Sequence, residues 1–145
     1  MCGMKKPKQR GFTLIELVVV IALLAILAAF AIPRYAGLER EARSAAILGV
    51  SGSIRSGAAL VHGLYLSQEV NPVVMEGNVI NLTQGYPDAT DIAATLADMT
   101  GFTVVVNGSS DQAVFSTIGG TNCEVVYNDA LAGSAPAISV DTSGC

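Results

Sequence analysis

Glu16 is the one charged side chain between Phe12 and Ile32, and Leu17 to Ile32 contain no polar side chain at all. A carboxylate at the centre of a membrane helix costs about 2.5–3.5 kcal/mol on insertion scales, so such a residue demands a functional partner. The bland alternative is a glutamate near the membrane edge that reaches interfacial water. Just upstream stand Lys5, Lys6, Lys8 and Arg10, followed by Gly11 and Phe12. A secretory signal runs in the order basic region, apolar region, small-residue cleavage site. Here the small residue, Gly11, precedes the apolar run, so cleavage after it would discard the basic leader and keep the helix. It would also place a positive amine on Phe12 in every copy of the chain, a candidate partner for Glu16. A lipoprotein reading through Cys2 fails because no apolar region precedes that cysteine. Met4 opens a compact leader, MKKPKQRG, and is a candidate start.

Other chemistry is sparse. Cys2 leaves with the leader, so Cys123 and Cys145 form an even pair, and a disulfide is expected in an oxidising compartment. Such a bond closes a 23-residue loop, for which chain entropy predicts a stabilisation of about 3 kcal/mol. Its spacing has no CxxC character. His62, the only histidine, falls on a helical pattern and reads as a partly packed surface residue. No GxSxG, HExxH, P-loop or GxGxxG is present. Asp88 and Asp91 with Glu69 or Glu76 offer oxygens suited to calcium, but no EF-hand pattern organises them, and solvated acids are the simpler reading. Asn81-Leu82-Thr83 and Asn107-Gly108-Ser109 match the glycosylation sequon, a pattern short enough to occur by chance. No metal, cofactor or enzymatic activity is expected.

The elements that must position these residues follow from charge and period. Only 14% of the 145 residues are charged, against roughly 25% in a soluble domain, and the apolar content excludes disorder. From Ser56 onward there are nine acidic residues and no Lys or Arg, which disfavours nucleic-acid binding by this part of the chain. Phe12 to Ile32, 21 residues, would form a helix about 31 Å long, enough to cross a bilayer core of roughly 30 Å. Positive charge before it and acidity after it place the N-terminus in the cytoplasm. Pro33 is expected to kink or break this helix. Beyond it, Tyr35, Leu38, Ala42, Ala45, Ile47, Val50, Ile54, Ala58, Val61 and Tyr65 recur at helical spacing as an amphipathic stripe. Arg40, Arg43 and Arg55 fall off it, Glu39 precedes Arg43 by one turn, and Gly49, Gly52, Gly57, Ala58 and Ala59 suit close packing. One long helix is therefore expected.

Asn71-Pro72 signals a turn, Asn78 to Leu82 a short strand, and Asp88 to Met99 a short helix capped by Thr90 or Asp91. Strand patterns follow at Phe102 to Val106, Ala113 to Ile118, Glu124 to Tyr127 and Ala137 to Val140, with a turn at Asn107-Gly108. The predicted fold is α+β: a long N-terminal helix, half membrane and half amphipathic, packed on a small antiparallel sheet.

Arg10-Gly11-Phe12-Thr13-Leu14-Ile15-Glu16-Leu17, followed by the apolar run and Pro33, resembles the N-terminus of a type IV prepilin. The resemblance implies the type IV pilin fold, cleavage between Gly11 and Phe12 by prepilin peptidase, and N-methylation of Phe12 by the same enzyme. It implies that Glu16 pairs with the amine of a neighbouring subunit, a charge that methylation retains. The chain then divides into a leader (1–11), a transmembrane and assembly segment (12–33) and an α+β head (34–145). Cys123 and Cys145 resemble the C-terminal disulfide region of these pilins.

Within the family, Ala31-Ile32-Pro33-Arg34-Tyr35, Leu38, Ala42-Arg43, Ser56-Gly57-Ala58 and Val61-His62 resemble mannose-sensitive haemagglutinin (MSHA) type pilins, with Gly85-Tyr86-Pro87 in weaker support. The short leader and Phe12 point to the type IVa group. The implied function is a structural subunit of a helical homopolymer used in adhesion or motility. The implied partners are the prepilin peptidase/N-methyltransferase and the inner-membrane pilus assembly machinery. The chain would cross the inner membrane once before assembly and be extracellular afterwards. The alternative is a pseudopilin of a type II secretion or DNA-uptake machine. A membrane-anchored periplasmic enzyme or binding module is a third reading, and it requires an intact leader. Loss of residues 1–11 would turn the net charge of −4 into −8.

Overall fold

A computed structural model describes residues 11–145, and for residues 33–36 it describes the backbone alone. The expected leader therefore lies, apart from Gly11, outside the described residues. One α-helix, α1, covers Leu14–Gln68. Its helical backbone continues through position 33, while the Pro33 side chain, on which the expected kink depends, lies outside the described residues. The chain divides into two compact units, Met1–Glu39 and Arg40–Cys145.

In the first unit every residue from Gly11 to Phe30 is exposed, including Phe12 at 87% and Phe30 at 76%. The helix is long and apolar enough to cross a membrane. An apolar surface of this extent is stable in water only when something covers it.

The second unit contains the remainder of α1, followed by β1 (Val73–Met75), β2 (Asn78–Ile80), β3 (Leu82–Thr83) and β4 (Tyr86–Pro87). A 3-10 turn over Ile92–Thr95 leads to β5 (Phe102–Val106), β6 (Gln112–Thr117), β7 (Glu124–Asn128) and β8 (Ala137–Asp141). Strands β5 to β8 form a four-stranded sheet in sequence order, and β1–β2 and β3–β4 are separate pairs. All pairings are antiparallel. The α+β fold expected from the sequence is the fold observed.

Alternation drives the sheet. β6 turns Ala113, Phe115 and Thr117 inward, and β7 turns Val125 and Tyr127 inward. Ala113, Phe115, Val125 and Tyr127 pack with Ile47, Val50, Ile54 and Ala58 of α1 in one core, where burying each large aliphatic or aromatic side chain contributes about 1.5–3 kcal/mol. A second cluster joins Val61 to Val73, Ile80 and Leu82 of the hairpins.

Three local expectations change. The buried stripe of α1 begins at Ile47, because Leu38, Ala42 and Ala45 are exposed ahead of the residues that meet the sheet. The short helix expected within Asp88 to Met99 contracts to the 3-10 turn. Asp88 Oδ1 accepts from the Thr90 N–H, the Thr90 hydroxyl and the Asp91 N–H, and this local turn competes with helical bonding. Asp91 takes the N-cap position without a side-chain cap bond. The single strand expected over Asn78 to Leu82 is two, divided at Asn81, whose N–H donates to Asp91 Oδ2 instead of to a ladder. Of the small helical residues, Gly57 is required by close packing, since a Cβ there would lie 2.4 Å from Thr95 Oγ1, whereas Gly49 and Gly52 face open space.

Candidate functional site

Gly11, Phe12 and Thr13 precede the first helical residue, and all three are exposed. The Gly11–Phe12 bond thus lies in irregular, accessible backbone, with nothing within 4 Å of a Cβ at Gly11. Helix α1 opens with a capping box. The Thr13 N–H and hydroxyl both donate to Glu16 Oε2 at 2.8 Å, and the Glu16 N–H donates to Thr13 Oγ1 at 3.3 Å. This exchange satisfies donors that every helix start leaves orphaned. The partner for Glu16 within its own chain is Thr13, a neutral hydroxyl that charge alone does not single out. The Thr-x-x-Glu spacing just ahead of an apolar run was its signal. Phe12, Ile15, Glu16, Val19 and Val20 line one shallow hollow of about 350 Å³. The expected cleavage and assembly residues Gly11, Phe12 and Glu16 are thus neighbours on one helix start.

The expected disulfide is present between Cys123 and Cys145, with Cα atoms 4.7 Å apart. Its surroundings are tight. A Cβ at Gly120 would lie 2.8 Å from Thr117 Oγ1, and one at Gly144 would meet the Thr121 carbonyl. Arg43 donates to the Gly119 carbonyl at 3.2 Å, joining α1 to the loop that carries Cys123.

Toward the far end of α1, His62 bonds the Gly85 carbonyl through Nδ1 at 2.9 Å and stacks on Tyr86 with ring centres 4.0 Å apart. It is half-buried, as expected, but more firmly held than a surface residue. Tyr127 is fully buried, and its hydroxyl donates to the Pro87 carbonyl. Burial, reinforced by Asp129 and Asp88, holds its phenol well above the ordinary range. The Gly85-Tyr86-Pro87 segment therefore joins helix, hairpin and sheet.

The acids do not gather into a metal centre. Among the described residues no group of three metal-ligating side chains occurs. Asp91 is bonded to the Asn81 backbone and amide, and Asp88 to Thr90 and Asp91. Asp129 accepts from the Ala89 N–H at 2.7 Å, yet desolvation, with Asp88 and Asp111 nearby, raises its carboxyl above the usual value. Asp98, Asp111 and Asp141 are lowered, chiefly by hydrogen bonds from Thr100, Asn107 and Ser143 respectively.

Residues 6–32 match the family model described as the prokaryotic N-terminal methylation motif. The type IV major fimbrial protein FimA of Dichelobacter nodosus (strain VCS1703A) is 35% identical over 111 residues, covering 70% of this chain and 67% of that protein. Another type IV major fimbrial protein FimA of Dichelobacter nodosus is 59% identical over 46 residues, 32% of this chain and 28% of that protein. No solved structure matches.

An exposed apolar helix bearing this motif, joined to a disulfide-closed α+β head, defines a membrane-anchored filament subunit. The chain belongs to the type IV pilin family and is a structural subunit of a pilus. Its precursor is held in the membrane by the N-terminal helix and its pilus is extracellular. The pseudopilin alternative is not favoured.

Proposed function

We propose that the chain is a type IVa pilin of the MSHA type, cut after Gly11 and N-methylated on Phe12. Residues 1–11 are then the leader, 12–33 the transmembrane and assembly segment, and 34–145 the head. The precursor waits in the inner membrane with its N-terminus in the cytoplasm. Prepilin peptidase/N-methyltransferase and the inner-membrane assembly machinery act on it, and it polymerises with copies of itself into fibres used in adhesion or motility. During assembly Glu16 pairs with the Phe12 amine of a neighbour, setting register, while apolar packing supplies most of the cohesion. Pro33 is where the helix loosens during extraction. No catalytic role, cofactor or nucleic-acid partner is proposed.

The observation that carries this reading is the exposed start of α1, where Phe12 and Glu16 share one hollow at the head of an uncovered apolar helix. Mass spectrometry of sheared surface fibres tests it: the chain should begin at Phe12 and carry one added methyl group. Glu16→Ala and Gly11→Asp should abolish fibres and leave precursor in the membrane. Fibres beginning at Met1 or Met4, or normal piliation in both variants, would overturn it.

A further inference from the structure

Two shallow cavities of about 350 Å³ each share His62, Tyr86 and Ala135 as walls. Gln84 and Ser134 complete one, and Arg55, Ala58, Pro136 and Ile138 line the other. The shared wall is the His62–Tyr86 stack, with planes only 3° apart. The turn between β3 and β4 holds it in place. Gln84 and Gly85 both have positive φ, 55° and 83°, the pattern of a type I′ hairpin. A side chain at Gly85 would lie 2.7 Å from the Tyr65 ring, so the turn is pressed directly on α1.

Two polar groups in these cavities have unused capacity. A backbone carbonyl can only accept, so the bond to Gly85 puts the His62 proton on Nδ1. In the neutral ring Nε2 is then a lone-pair acceptor, and among the described residues nothing donates to it. Arg55 donates to the Ile138 carbonyl at 3.2 Å, and among the described residues no carboxylate neutralises it. Its guanidinium has five N–H donors in a fixed fork, so most remain available. The residues after it supply nine acids and no Lys or Arg. That field opposes multiply charged anions and leaves a single cation able to hold a monoanion.

We infer that this double cleft binds a hydroxylated monocarboxylate, the chemistry of a uronic acid, as a free monomeric sugar acid. Arg55 takes the carboxylate, and His62 Nε2 accepts from a ligand hydroxyl. Gln84 and Ser134 lie on the hydroxyl-bearing side, and the C–H face of the ring covers Ala58, Pro136 and Ile138. This site goes beyond pilus assembly and uses none of the residues at the helix start.

Saturation-transfer NMR on the full-length chain in detergent micelles tests the inference without requiring fibres. The probes are glucuronate and galacturonate, with a galacturonate oligomer, glucose and acetate as controls. Both monomeric uronates should take up saturation, and the controls, the polyanionic oligomer included, should give little. Arg55→Gln should weaken binding by about tenfold, the usual loss for a charge-assisted bond, and Arg55→Lys, which keeps the charge without the fork, should fall between Arg55→Gln and the parent. Ala135→Leu, a change on an exposed loop, should fill the cleft and abolish binding with the melting temperature unchanged. Equal transfer from glucose, stronger transfer from the oligomer than from the monomers, an undiminished signal in Arg55→Gln, or no transfer from either uronate would overturn the site. The last result would leave the stack as a fastener between hairpin and helix.

Discussion

Replacing Tyr127 by Phe tests the junction that closes the head. The ring is fully buried in the core, and its hydroxyl donates to a carbonyl 40 residues away, at Pro87. Phenylalanine keeps the ring contacts and leaves that acceptor without its donor. Stranding a buried carbonyl costs about 1–3 kcal/mol, so a loss near 2 kcal/mol is expected. For a cooperative unit of this size that is a fall in Tm on the order of 10 °C. Tyr127→Ala also empties the ring's volume and should cost about 3–5 kcal/mol. Urea unfolding of the full-length chain in detergent, followed by circular dichroism, measures both. The phenol's raised pKa keeps the donor protonated at any ordinary pH, so the difference should not vary between neutral and mildly alkaline buffer. A Phe variant within about 0.3 kcal/mol of the parent would refute the reasoning, because water would then be reaching Pro87 and the hairpin would not be sealed. A Phe variant as damaging as Ala would refute it too, since the hydroxyl would carry what is assigned to the ring.

Reduction of the Cys123–Cys145 bond, which closes a 23-residue loop, should lower unfolding stability by about 3 kcal/mol. The double Cys→Ser variant should match the reduced parent in urea titrations with and without dithiothreitol. Gly52→Ala, facing open space on α1, should stabilise by up to about 1 kcal/mol through helix propensity. Gly57→Ala should destabilise, because the new methyl meets Thr95 and overpacking of about 1–3 kcal/mol exceeds that gain; equal effects in thermal melts would refute the close contact. Asp129 has a folded pKa raised above its ordinary value of 3.8. It therefore favours the fold when protonated, and that contribution is lost as pH rises through the raised value. Asp129→Asn, which retains an oxygen for the Ala89 N–H, should be more stable than the parent at neutral pH. The advantage should vanish at acid pH, and an advantage that persists there would mean the carboxylate is not the cause.

The helix and the four-stranded sheet were legible because each depends on a period that the chain displays without interruption. Strands β5 to β8 lie within one residue of the alternating runs at both ends. The segment between Gln68 and Phe102 was less legible. Its backbone is decided by long-range side-chain bonds such as Asn81 to Asp91 and Asn71 to Leu82, which leave no periodic trace. The start of the buried stripe was also invisible: Leu38, Ala42 and Ala45 continue the helical pattern but lie ahead of the core, so periodicity marks a face without saying what covers it. At the helix start, Gly11, Phe12 and Glu16 stood out by their charge and position. Thr13 did not, because a neutral hydroxyl looks ordinary until the N-cap is located. The head's fastenings escaped for a related reason. Arg43 and Arg55 fall off the apolar stripe, yet each reaches a backbone carbonyl of the head.

The capping box has a consequence for the energetics of polymerisation. A lone subunit already carries an internal occupant for Glu16 Oε2, supplied by Thr13. An incoming amine in the proposed pairing would exchange one set of donors for another instead of relieving a naked charge. The electrostatic part of joining would then be a difference between two satisfied states, small beside the apolar packing and still selective for correct alignment. Glu16 would act less as an adhesive than as a comparator, weighing a neighbour against its own chain.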